Sequence, residues 1–467
     1  MPNQSPAVPL HRLLLIVVTV LALASAVHAA DAPADQNWPQ WRGPLATGAA
    51  SAGSPPTTWS ETSNVRWKIQ IPGEGSSTPI IWGDKVFVQA AIPTGKKPDT
   101  ASASAAPINA APFPQQQQGR RGGRGGEFGG AKPTESFQFV LLCLDRLTGK
   151  TLWRQIAREV VPHEGHHPTE GFFASQSPIT DGQHIFAYFG SEGLYCYDMD
   201  GKPTWNRDLG KMRILLGFGE GSSAALYHDK LIINWDNEDE SFITALDKNT
   251  GKTLWKTPRD EKTTWATPLV VEQAGKAQVI TAATKKIRGY DVETGELIWE
   301  SKGLTRNVIP SPVYSDGVVY LTSGYQGNAL QAIRLGRTGD LSNTDSILWT
   351  WNKKTPYVSS PLLYDGRIYL FSANSEILSC FDAKSGKPVI DGHRVDGLVG
   401  VFASPVAAGQ HVYLTGRNGA TVVIKASDQF EPIATNQLDD KFDASPAIAG
   451  NEIYLRGRQS LYCIAEK

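Results

Sequence analysis

The chain has 467 residues, with 45 Lys+Arg against 46 Asp+Glu for a net charge of -1, and it is rich in Gly (45), Pro (30) and Trp (13). Balanced charge supplies no global field for a polyanion, which excludes nucleic acid or an anionic membrane as the main partner. Short alternating apolar runs bounded by Asp-Gly and Thr-Gly, without long stretches of helical spacing, predict an all-β protein.

In chain order, His11 and Arg12 precede an apolar run over residues 13–24, and small residues at 27 and 29 suit a signal peptidase, so residues 1–29 read as a secretory signal peptide. The run is shorter than the ~20 residues of a spanning helix. No other segment is long enough to be transmembrane, and no Cys follows the cleavage point to take a lipid. The mature chain is therefore expected to be periplasmic or secreted. Residues 30–63 form an N-terminal extension containing NWPQWRGPLATG, whose Trp38 and Trp41 are expected to staple it onto the body of the protein.

Residues 64–467 carry one repeat. Its first anchor is a Ser/Thr-Pro step that opens a strand, ending at Pro79, Pro178, Pro268, Pro312, Pro361, Pro405 and Pro446. Ala224 replaces Pro in an eighth copy, because SSAALYHDKLII aligns without gaps on SSPLLYDGRIYL. From Pro178 onward the anchors lie 41 to 49 residues apart, matching the ~40–45 residues of a four-stranded propeller blade. The second anchor is Asp-x-x-Thr-Gly-Lys-x-x-Trp, complete in CLDRLTGKTLW (143–153) and ALDKNTGKTLW (245–255). Here Asp accepts turn amide hydrogens and Gly supplies positive φ. Trp67, Trp153, Trp205, Trp255, Trp299 and Trp349 are expected to lie between neighbouring blades, each contributing on the order of 2–3 kcal/mol or more of apolar burial. Ile390 takes this place in the sixth repeat, and the seventh has no clear equivalent.

The last repeat ends after three strands, at LYCIAEK, and VRWKIQI (65–71) has the form of the missing fourth. The expected fold is an all-β, eight-bladed β-propeller of four-stranded antiparallel blades, its ring closed by the N-terminal strand pairing into the C-terminal blade, which leaves no exposed edge. A monomer is expected. Cys143, Cys196, Cys380 and Cys463 occupy one repeat position where other repeats carry Ala245, Gly289 and Ala332, so they read as buried free thiols. Residues 91–136 interrupt the first blade with Gly-, Gln- and Pro-rich sequence, expected to be a disordered low-complexity insertion.

VPHEGHHPTEGFF places His163, Glu164, His166, His167 and Glu170 within eight residues, a candidate ligand set for a divalent metal, although it matches no recognised zinc motif and reads first as a solvated loop or polar lid. DNEDE (236–240) reads as an acidic surface turn. Both GEGSS copies sit at one repeat position, and no GxSxG, GKS/T or HExxH motif occurs. Three residues before the anchors stand Trp265, Phe402 and Asp443, with Arg306 and Tyr357 close by. These five are expected to form an aromatic rim at one mouth of the channel, suited to a peptide or planar ligand.

The two anchors together resemble the repeat of the pyrroloquinoline-quinone (PQQ)-like β-propeller superfamily, and WPQWRGP, SGYQGNALQAIRLG and FDASPAIAGNEIYLRGRQSLYCIAE are similar to exported PQQ-binding-like propeller proteins. The superfamily includes the quinoprotein alcohol dehydrogenases and the propeller lipoprotein of the outer-membrane β-barrel assembly machine. The resemblance implies PQQ and Ca²⁺ only under a quinoprotein reading, in which the protein oxidises alcohols or sugars. It lacks the vicinal Cys pair typical of those enzymes, and no CxxCH haem site occurs. The reading drawn from the sequence is an exported, non-catalytic binding or scaffold propeller with an envelope protein or peptide as partner.

Overall fold

The computed structural model describes residues 36–97 and 129–466. The signal-peptide reading and the core of the low-complexity insertion, residues 98–128, lie outside the described residues. Eight sheets of antiparallel strands follow the eight anchors. The first blade comprises Ile80–Trp82, Lys85–Pro93, Phe137–Asp145 and Thr151–Val160. In the eighth, Val65–Gln70 pairs antiparallel with Ser460–Ile464 outside Glu452–Arg456 and Ala447–Ala449. The ring is thus closed by strands from the two ends of the described chain. Ala91, Ala90 and Val88 are buried in the Lys85–Pro93 strand, so the insertion begins after Pro93 rather than at 91.

Each anchor residue immediately precedes the innermost strand of its blade, and the hydroxyl before it performs a task that its sequence does not reveal. Backbone N–H groups of Thr78, Ser177, Ser223, Thr267, Ser311, Ser360 and Ser404 each donate to the hydroxyl oxygen of the next blade's Ser or Thr, at 2.8–3.0 Å. Thr78 Oγ1 donates to Ser445 O at 2.9 Å and completes the circuit. A ring of side-chain bonds therefore ties blade to blade around the axis. Ser360→Ala should leave the buried Ser311 N–H unmatched and cost ~1–3 kcal/mol, measured by denaturant unfolding. Ser360→Thr should restore most of it. If the Ala variant unfolds with the parent, the ring does not bear on stability.

The outer tryptophans show why the hairpin motif needs its Gly. Trp67, Trp153, Trp205, Trp255 and Trp349 donate their indole N–H to the carbonyl of Arg146, Met199, Lys248, Val292 and Ala383, each the residue after the turn Asp of the following blade. The ring then covers the turn Gly. Gly251 has φ +68, and a Cβ there would sit 2.6 Å from Trp205 Cε3. Both the backbone conformation and the neighbouring indole therefore exclude a side chain. Across the strand each Trp faces the small repeat position: Cys143 pairs with Trp153, Cys196 with Trp205, Ala245 with Trp255 and Cys463 with Trp67. In the seventh blade the order is reversed, Val423 facing Ala434. The larger residue of that pair is only a Val, so this blade offers no indole to its neighbour. The four thiols are unpaired, and burial pushes each up to about 12.

Trp299 differs from the other five. The fifth blade has a longer turn, whose Gly339–Asp340 pairs parallel with Leu297–Ser301, so no turn Gly is offered to Trp299. Its indole donates to Gln278 Oε1 of its own blade at 2.6 Å, and it packs with Val319, Leu321 and Ile333 of the next. The acidic run also departs from a surface turn. Asp236 is fully buried and paired with Arg259 at 2.7 Å, and Arg259 also donates to Tyr290 Oη and Thr281 Oγ1 in the fourth blade. An acidic run hides such a partner because Arg259 lies at the end of the outer strand, not beside it in sequence.

Candidate functional site

The N-terminal extension crosses the channel. Trp38 exchanges backbone hydrogen bonds with Ile81 in the first blade, Pro39 O accepts from Thr180 in the second, and Thr47 and Gly48 carbonyls accept from Leu363 and Ala407 in the sixth and seventh. Trp38 is completely buried, whereas Trp41 lines a cavity of ≈ 390 Å³. The wall carries Ser177, Ser223, Ser404 and Ser445 of the hydroxyl ring, and above them the residues three before the anchors: Trp265, Ile309, Val358, Phe402 and Asp443. Tyr357 stacks on Tyr325 at 5.0 Å. Trp265, Tyr357, Phe402 and Asp443 are therefore brought together. Arg306 is not: it is exposed and directed at Gln326, and only its backbone, bridged to the lining residue Tyr325, lies near the cavity.

The loop between the first and second blades covers the cavity. His167, Glu170, Gly171 and Phe172 contribute to its lining. The far edge of this loop is held by two arginines. Arg417 Nε and Arg458 Nε meet the two oxygens of Asp443 at 2.6 and 2.8 Å, and Arg417 Nη2 donates to Thr169 O at 2.9 Å. Each guanidinium also lies over an aromatic ring, Arg417 over Phe402 at 4.1 Å and Arg458 over Phe172 at 5.0 Å. The two occupy the same repeat position, in TGRNG and RGRQS, and this recurrence of Gly-Arg between the second and third strands is the signal that a search for conserved anchors passes over. On the near side Gly130, at the far end of the insertion, fits between Gly217 and His166 with no room for a Cβ. Residues 129–136 are thus part of the loop's support rather than free linker.

The metal expectation is corrected here. His163 directs Nε2 at Met212 O (2.7 Å), Glu164 accepts from Ile214 N–H (2.9 Å), His166 meets Glu74 (3.0 Å), and His167 packs on Phe218 while its Nδ1 accepts from Glu170 N–H (3.2 Å). The four side chains turn to separate partners to fasten the loop, three of them in the 212–218 segment and one at Glu74. Among the described residues no group of three or more His, Cys, Asp or Glu is arranged to hold a metal ion.

These fastenings titrate. Burial pulls the His166 imidazole down, but the Glu74 carboxylate outweighs it and raises the group above its usual 6.5. His163 is raised in the same sense, burial being outweighed by Glu192 and Met212 O. Burial pushes the enclosed Glu220 carboxyl up to about 7 from 4.5, against a backbone N–H from Ser191. All three bind protons more tightly in the closed structure. The two histidine contacts are therefore complete below about 6.5 and are lost as pH climbs through their raised values, and the Glu220 contribution is lost between about 4.5 and about 7. Hydrogen exchange of residues 163–173, corrected for the intrinsic rate, should accelerate as pH rises from about 5.5 to 8. Constant or growing protection over that range would show that the loop is held by other means.

Residues 138–390 and 239–467 match the family described as outer membrane protein assembly factor BamB. The chain is 23% identical over 302 residues to the tetrathionate hydrolase of Acidithiobacillus ferrooxidans, covering 59% of this chain and 53% of that protein. It is 32% identical over 162 residues to outer membrane protein assembly factor BamB of Francisella salina, covering 32% of this chain and 30% of that one. The chain therefore spans about half, or less, of the length of these relatives. The crystal structure of quinohemoprotein alcohol dehydrogenase from Comamonas testosteroni superposes with a TM-score of 0.60 at 10% identity, covering 93% of this chain and 82% of that one, which is a likeness of fold. The cavity's donor set does not fit the quinone of such enzymes. PQQ is a tricarboxylate, and the charged groups lining the cavity include Glu170, Glu220 and Asp443, while the bordering Arg417 and Arg458 are already held by Asp443 and Thr169 O.

Proposed function

Because the chain belongs to this family of PQQ-like β-propeller repeat proteins, we propose that it is an exported envelope protein that binds a peptide segment of a partner protein in the lidded cavity, without catalysis. The observation that carries this reading is the aromatic lining: Trp265, the Tyr325–Tyr357 stack, Phe402 and Phe172 surround ≈ 390 Å³, with a carboxylate and two guanidinium groups at one side. That volume falls within the ~300–1,000 Å³ of ordinary ligand sites. It takes a few side chains of an extended segment, not a folded domain. Trp, Tyr and Arg are the residue types that dominate binding hot spots. The assembly role printed for the family's namesake supports an envelope polypeptide as the partner.

A photoreactive phenylalanine analogue replacing Phe402 in cells should crosslink to a discrete envelope polypeptide. The same analogue at Leu254, 46% exposed on the outer strand of the third blade, should not. No product at Phe402, or the same products at both positions, would refute a cavity-bound partner. Under the rival quinoprotein reading, the pure protein given the quinone and Ca²⁺ would oxidise alcohols with a dye acceptor; the donor set argues for no turnover.

A further inference from the structure

We infer that Arg42 holds a small monovalent anion of the halide class at the axis of the propeller, beneath the cavity and independent of it. Arg42 is 4% exposed and belongs to the segment that crosses the channel. Its Nη2 donates to the carbonyls of Pro361 (2.9 Å), Pro405 (3.0 Å) and Thr47 (3.4 Å). Its Nε and Nη1 are buried and make no hydrogen bond among the described residues. A guanidinium has five N–H donors, so the three on these two nitrogens are unmatched. Buried N–H groups without an acceptor and buried charge without a counter-charge are both costly. Arg259, just as deeply buried, meets Asp236. Arg42 has no such carboxylate among the described residues, and burial alone pulls it down to about 9.

The pocket beside Arg42 offers hydroxyl donors and no carboxylate. Arg42 lines a pocket of ≈ 30 Å³ with Gln40, Trp41, Thr267 and Ser311, together with Ala, Pro and Leu side chains and without Asp or Glu. Thr267 Oγ1 and Ser311 Oγ each already accept a backbone N–H in the interblade ring, from Ser223 and Thr267. Their hydroxyl protons therefore remain to be donated. Arg42, Thr267 and Ser311 line a space that exceeds the ~10–15 Å³ needed for a water and suits a single ion of chloride's size.

The test uses the full chain. At constant ionic strength, replacing chloride by gluconate should lower the melting temperature by several degrees, and titrating chloride from ~0.1 to ~100 mM should restore it in a saturable way, as binding to the folded state alone requires. Arg42→Met should melt at one temperature in both salts. A parent protein indifferent to the anion, or a Met variant that keeps the dependence, overturns the site. Should Arg42→Met fail to fold, crystals of the parent grown in bromide decide: an anomalous peak beside Arg42 Nε and Nη1 supports the site, and water density alone there overturns it.

Discussion

Deletion of the chain up to Gln70 is expected to leave no folded, soluble monomer. The truncation removes Val65–Gln70, the strand that covers Ser460–Ile464, and so exposes a paired edge whose residues are all buried in the intact ring. It also removes Trp67 from the Gly149 turn of the first blade and the segment that bridges the first two blades to the sixth and seventh. Loss of a buried Trp costs ~3–5 kcal/mol, and Trp38 and Trp67 both go. Their sum already approaches the ~5–15 kcal/mol by which a protein is usually stable. An uncovered apolar edge adds aggregation to instability. Sedimentation after expression and limited proteolysis read the outcome. A truncated protein that stays monomeric and melts with the parent would contradict closure by the N-terminal strand.

Trp255→Ala is expected to destabilise the protein by ~3–5 kcal/mol. Trp255 is buried, donates to Val292 O at 2.9 Å and covers Gly295 of the fourth blade, so its removal opens a cavity and leaves a carbonyl without its donor. Trp255→Phe keeps much of the apolar contact and forfeits the hydrogen bond, for roughly 1–2 kcal/mol beyond the lost volume. Denaturant midpoints at unchanged slope measure both. Equal loss in the two variants would mean that the indole N–H, not packing, holds the blades together.

The scaffold was legible because a propeller repeats its physics. The Ser/Thr-Pro step, the Asp-x-x-Thr-Gly turn and the Trp recur at one spacing, so position in the repeat fixes position in space. By the same rule the residues three before the anchors, Trp265, Phe402 and Asp443, were traceable to one mouth. Elements outside the repeat were not. His163, His166 and His167 are near in sequence, but loop side chains point where partners lie, and those partners come from residues 74, 212 and 218. Arg306 looked like a rim residue from its neighbours, yet its side chain is exposed and bonded to Gln326. The contacts of residues 37–50 and the bond from Arg417 to Thr169 join residues hundreds of positions apart, which no local pattern encodes. The hydroxyl ring lay in plain view as the Ser or Thr before each Pro, but a conserved turn residue explains that letter equally well until the bonds between blades are seen.

Binding in the lidded cavity is tested most directly by calorimetric titration of the crosslinked partner segment into the parent protein, Phe402→Ala and Trp255→Ala. Truncating a hot-spot aromatic costs ~2 kcal/mol or more, about 30-fold in affinity. The expected result is that Phe402→Ala binds at least that much more weakly while melting above Trp255→Ala, and that Trp255→Ala melts early yet, while folded, binds like the parent. If Phe402→Ala binds with parental affinity and melts early, the aromatic wall is packing and the partner binds elsewhere.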